Sequence, residues 1–142
     1  MRKDSRLSRV LHVLIHLDAF EHPVTSDTLA KMLGTNPVVV RRTMALLREQ
    51  GYVKSIKGHS GGWSLAKALG DITLLDIHQT LSDSSVFTIG LTDEHTECPI
   101  EHAVNRTLKE AMDEAEGVLL KRFGEVPLSE LTVEFKAALA KR

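Results

Sequence analysis

Asn36-Pro37-Val38-Val39-Val40-Arg41-Arg42-Thr43-Met44-Ala45-Leu46-Leu47-Arg48-Glu49-Gln50-Gly51 holds the most informative helix signals in this chain. Asn36 suits a cap for free helix amides, Pro37 suits the first helical position, and Gly51 suits a left-handed stop. Val40, Thr43, Met44 and Leu47 recur at helical spacing on one face, ready to pack on other helices. Val38, Arg41, Arg42 and Ala45 fall on or near the opposite face. The stretch therefore predicts a helix with an apolar back and a front of arginines and small residues.

Two helices are expected upstream. From Ser5 to Ala19, Leu7, Val10, Leu11, Leu14, Ile15 and Leu17 form an apolar stripe, and Pro23 closes that helix. A short helix from about Asp27 to Leu33 follows, with Thr25 or Ser26 as N-cap and Gly34 as C-cap. The turn Gly34-Thr35-Asn36 then joins it to the arginine-bearing helix, which is a helix-turn-helix arrangement.

Downstream, Tyr52-Val53-Lys54-Ser55-Ile56 and Trp63-Ser64-Leu65 read as strands around the polar, glycine-rich tip Lys57-Gly58-His59-Ser60-Gly61-Gly62. Such a hairpin is a wing, with glycines that admit a phosphate and with Lys57, His59 and Ser60 able to reach a groove. Gly-rich loops also cradle nucleotides, but those precede a helix, whereas this one joins two strands. Three helices, a strand, a glycine-rich tip and a strand predict a winged helix-turn-helix. The fold class is thus mainly α with a small β-wing (α+β), and the function it implies is binding to duplex DNA.

The second half reads differently. Thr73-Leu74-Leu75-Asp76 opens a short helix through Leu81 as a capping-box variant. Ser82 to Thr96 has no clear period and reads as a strand fragment and loop. Pro99 starts a long helix to about Phe123, in which Val104, Leu108, Ala111, Ala115, Val118 and Arg122 recur at alternating steps of four and three. Met112 and Leu119 widen that stripe. Its expected cover is the same helix of a second subunit, with an intrachain core helix as the alternative. A last short helix begins at Pro127-Leu128-Ser129, and its Leu131, Phe135 and Leu139 are expected to pack back onto the body. The expected organisation is a DNA-binding head over 1–81, a sensor or linker loop over 82–98, and a dimerisation helix with a C-terminal helix over 99–142.

Charge follows the same division. Met1 to Gly70 holds 11 Lys and Arg against 5 Asp and Glu, whereas Asp71 to Arg142 holds 7 against 14. A basic head suits a polyanion. The 142 residues include one cysteine, Cys98, so no intrachain disulfide can form and a cytoplasmic setting is expected. No apolar run approaches the ~20 residues a membrane span needs.

The chain resembles the Rrf-two family of bacterial winged-helix transcription regulators over nearly its whole length. The resemblance is carried by Met1-Arg2 opening the first helix, Asn36-Pro37-Val38-Val39-Val40-Arg41-Arg42, and Gly58-His59-Ser60-Gly61-Gly62-Trp63. Ile72-Thr73-Leu74-Leu75-Asp76-Ile77 and Cys98-Pro99-Ile100 complete it. It implies a recognition helix in the major groove, with Asn36, Val38, Val39, Arg41 and Arg42 at base-reading positions. It also implies that the wing tip reaches the neighbouring minor groove, with Lys57 as wing cation, and that Ser5 and Arg6 touch the DNA backbone. The chemistry agrees: arginine pairs with guanine bidentately, valine packs on a thymine methyl, and lysine and serine suit phosphate.

One departure concerns the cofactor. Cluster-binding members of that family place three cysteines before the long helix, and here only Cys98 is present, among His95, Glu97, Glu101 and His102. Some relatives recruit ligands from the first helix of the other subunit, at positions matched here by Ser8 and His12. No cofactor is expected, with an iron–sulfur cluster on an unusual ligand set as the alternative. Cys98 opens a helix, a position that favours a reactive thiol, so it is either a redox sensor or a small buried residue. His12 and His16 stand at helical spacing and suit either a metal or a polar helix surface. An enzyme using Cys98 with His95 or His102 as base lacks an orienting third group. A winged helix used only for protein contacts is at odds with the basic recognition helix. The reading is a homodimeric regulator, acting as a repressor, that binds an operator and answers a redox or small-molecule signal.

Overall fold

The computed structural model describes residues 5–81, 86–87, 90–92 and 97–141, with residue 139 by its backbone alone. The Met1-Arg2 pair, His95, most of the 82–96 loop with its expected strand fragment, and the Leu139 side chain lie outside the described residues. The elements run α1 (Arg6–Ala19), α2 (Ser26–Leu33), α3 (Pro37–Glu49), β1 (Val53–Ile56), β2 (Gly62–Leu65), a 3-10 turn (Leu69–Asp71), α4 (Leu74–Leu81), α5 (Pro99–Gly124) and α6 (Ser129–Ala140).

The boundaries follow local chemistry. Thr25, not Ser26, caps α2, accepting from the Thr28 amide at 3.2 Å. Gly34 ends α2 at φ +67°, and the Thr35 amide behind it donates to the Ala30 carbonyl at 3.0 Å. Asn36 caps α3 through its Oδ1, which accepts from the Val39 amide at 3.0 Å. The box at α4 closes both ways: the Thr73 amide donates to Asp76 Oδ2 at 2.9 Å and the Asp76 amide to Thr73 Oγ1 at 3.1 Å.

One hydrophobic core joins these helices, with Leu14, Leu29, Met44, Leu47, Ile72, Ile77 and Leu128 fully buried. Leu128 follows α5, and its amide donates to the Ile72 carbonyl at 2.8 Å, so the chain returns to the head after the long helix. Leu131 packs against this core as expected, but Phe135 stays 40% exposed and does not. Beyond Leu131, Val133 is also exposed.

The wing strands pair antiparallel, with Val53 opposite Leu65 and Ile56 opposite Gly62. A further bridge links Trp63 to Val24, in the connection between α1 and α2. The stripe on α5 faces away from its own chain, with Val104, Leu108 and Val118 at 50%, 41% and 70% exposure. Ala111 and Ala115 are exposed too, while Met112 and Leu119 are half-buried at its margin. The intrachain-core alternative for this stripe is therefore not what the fold contains. The chain side of α5 is instead held by buried Asn105, bonded to Thr92, and by Phe123, edge-on to His78 at 5.8 Å.

Candidate nucleic-acid interface

The recognition helix is set by what it buries. Val40, Met44 and Leu47 anchor α3 in the core, and a 3.6-residue period then turns Val38, Arg41 and Arg42 outward. Val38 and Val39 keep 55% and 41% of their surface, far above what a packing role would leave. Arg41 and Arg42 are exposed and have no carboxylate partner among the described residues. An unpaired guanidinium beside exposed valine methyls presents bidentate donors and apolar contact together, the pair of chemistries that base edges accept. Asn36 is exposed, with its Oδ1 committed to the cap, so its Nδ2 is the atom left to donate outward.

Ser5 and Arg6, at the start of α1, are exposed. Arg6 and Arg9 line one shallow apolar cleft with Val39 and Thr43, so the N-terminal ends of α1 and α3 form a single surface. Arg9 was not among the expected contacts. Its signal was its place three residues after Arg6, on the same side of a helix.

Lys57, His59 and Ser60 are exposed at the wing tip. The tip is a tight turn in which the Gly61 amide donates to the Gly58 carbonyl at 3.0 Å and Ser60 itself adopts φ +63°. A Cβ on Gly61 would meet the Ile56 carbonyl oxygen at 2.2 Å, so the turn demands glycine there. The wing is tied to the head through Trp63, whose Nε1 donates to Ser26 Oγ at 2.9 Å. Its backbone exchanges two hydrogen bonds with Val24, at 2.9 and 2.8 Å. Arg48 lies over the same indole, 5.8 Å from its centroid. Sequence reasoning placed Trp63 in a strand but missed this role.

Cys98 is exposed at the N-cap of α5, and its side chain makes no capping hydrogen bond. The alternative that it is a small buried residue does not hold. His12 and His16 face each other on α1, with Nε2 atoms 2.9 Å apart.

Three helices and a two-stranded wing, with a cationic, partly apolar recognition helix held outward, define a winged helix-turn-helix transcription regulator. The comparisons with known proteins agree. The family model described as "Rrf2: Iron-dependent Transcriptional regulator" matches residues 4–134, and the chain belongs to that family. It is similar to YwnA of Bacillus subtilis, which carries the name of an HTH-type transcriptional regulator: 29% identical over 110 residues, covering 78% of this chain and 81% of YwnA. The crystal structure of a protein of Lactobacillus plantarum described as a transcriptional regulator superposes with TM-score 0.79 at 24% identity, over 93% of this chain and 90% of that one. CymR, the global cysteine regulator of B. subtilis, superposes with TM-score 0.52 at 26% identity, over 80% and 91% of the two chains.

The family description names iron, and the donor set can be tested against it. Iron–sulfur clusters are held by several thiolates, and this chain has one cysteine in all. Among the described residues no three His, Cys, Asp or Glu side chains converge as metal ligands. The residues do not fit a cluster of that kind.

Proposed function

We propose that this protein is a homodimeric regulator that binds an operator sequence in duplex DNA and represses by occupying the promoter. The observation that carries the reading is the outward front of α3, where Val38, Val39, Arg41 and Arg42 stand exposed on a helix whose back is fully buried. In this reading Asn36 and those four residues read base edges. Lys57, His59 and Ser60 follow the groove from the wing, and Ser5 and Arg6 fix the backbone register. Phosphate contacts position such a complex and base contacts give it specificity.

Dimerisation follows from the α5 stripe. Val104, Leu108, Ala111, Ala115 and Val118, flanked by half-buried Met112 and Leu119, make an apolar face that stays exposed among the described residues, and a two-fold copy of the same helix is its natural cover. Residues 1–81 would then be the head, 82–98 the sensing loop, and 99–142 the arm. Exposed Cys98 sits where that loop meets α5, so an oxidant or small molecule acting there would shift the angle between two heads. The donor set does not favour the cluster alternative. A regulator with this role works in the cytoplasm alongside its operator.

Gel shift and salt titration against the chain's own promoter region test the reading. Affinity should fall steeply as salt rises, because neutralised phosphates release counterions. Binding without sequence preference would overturn the operator reading. A protein that sediments as a monomer at binding concentrations would overturn the dimer.

A further inference from the structure

We propose that His12 and His16 form a two-imidazole site for a divalent transition cation of the zinc, nickel and copper type. The two side chains stand one helical turn apart on α1, and their Nε2 atoms approach to 2.9 Å. Imidazole nitrogens bind zinc at about 2.0–2.1 Å, so two ligands separated by 2.9 Å subtend close to a right angle at a shared ion. That is the spacing of neighbouring positions in a six-coordinate shell. A tetrahedral ion asks the pair to open by only ~0.4 Å at the same bond lengths.

The helix holds the ligands in place before any ion arrives. Val10, Val13, Leu14 and Leu17 bury the opposite face of α1 and fix its rotation, leaving His12 exposed and His16 half-buried. Phe20 stacks on His16 with ring centroids 6.0 Å apart. As the pair stands, one Nε2–H is donated to the other Nε2. A cation binds there once the donor ring takes its Nδ1–H tautomer, which frees both Nε2 lone pairs to converge on one ion. Burial, and secondarily the charge of His12, lower the pKa of His16.

Two nitrogens and open solvent positions fit borderline ions that accept imidazole, in the order copper above nickel and zinc, with magnesium excluded as an oxygen-seeking ion. Water completes the shell, since no third His, Cys, Asp or Glu converges here among the described residues. The site therefore differs in donor chemistry from a thiolate cluster, and it does not depend on the DNA-binding reading.

The test is calorimetric titration of tag-free full-length protein with Zn2+ and with Cu2+, alongside H12Q, H16Q, H22Q and C98S. The expected result is one zinc per chain in the wild type, C98S and H22Q. Affinity should be weakened at least tenfold in H12Q and in H16Q, with tighter copper binding and no heat from Mg2+. Long-range 15N spectra of the histidine rings should show zinc moving the His12 and His16 Nε2 signals alone. Wild-type zinc affinity in H12Q and H16Q, or zinc shifts centred on other histidines, would overturn the site.

Discussion

Trp63 Nε1 donates a hydrogen bond of 2.9 Å to Ser26 Oγ, tying the second wing strand to the first turn of the helix before the recognition helix. Trp63 also pairs through its backbone with Val24, so the wing is joined to the helix-turn-helix at two points. The angle between α3 and the wing is then a property of the head.

Removing that bond while keeping an aromatic ring should separate packing from positioning. W63F is expected to lower stability by about 1 kcal/mol, the typical net worth of one hydrogen bond, together with some lost packing. Urea denaturation would measure it. Operator affinity should fall as well, because a loosened wing presents Lys57 and His59 less consistently. Unchanged stability and unchanged affinity would mean the bond positions nothing.

Leu128 lies outside the three-helix head in sequence yet is fully buried in its core. L128A should cost about 2–5 kcal/mol, as for other buried leucines truncated to alanine. A cost under ~0.5 kcal/mol, the range of ordinary surface changes, would show that the return of the chain after α5 contributes little.

Arg41→Ala and Arg42→Ala should leave the thermal midpoint within the range of surface substitutions, because both side chains are exposed. Each residue that reads a base should cost about 1–3 kcal/mol in operator binding and relax the preference at one base position. Fluorescence anisotropy with operator variants distinguishes this from a uniform loss, which would assign the arginine to phosphate instead.

V118D places a charge on the α5 stripe, at a position 70% exposed in the single chain. The head should stay folded while the dimer dissociates, which analytical ultracentrifugation and far-UV circular dichroism would record together. A V118D dimer as stable as wild type would remove α5 as the interface.

Burial, followed by the charge of His12, holds the pKa of His16 below its ordinary value of 6.5. In metal-free protein the native state then binds fewer protons than the unfolded chain just below that pH. Stability should be at its full value above about 6.5 and decline as pH falls from there toward the lowered native pKa. Denaturation between pH 7.5 and 5, in chelator, should show a shallower decline for H16Q than for wild type.

Much of the head was legible in the sequence because its signals are local. Asn36-Pro37 and Gly34 fix helix ends through backbone geometry within a few residues, and the burial period of α3 fixes which side Arg41 and Arg42 take. The glycine-rich tip likewise declares a turn that side chains obstruct, as Gly61 against the Ile56 carbonyl demonstrates. The capping pair Thr73 and Asp76 bond across three residues.

Contacts between distant segments were decided by the tertiary structure alone. Trp63 reaches Ser26 across 37 positions and Leu128 meets Ile72 across the whole of α5, and neither pairing leaves a mark in spacing or composition. A heptad stripe says that a face must be covered but not by what. Only the folded chain revealed that its own core leaves Val104, Leu108 and Val118 bare, and that Phe135, apolar and helical, stays exposed. Backbone geometry is written residue by residue, whereas packing depends on which surfaces reach one another first to exclude water.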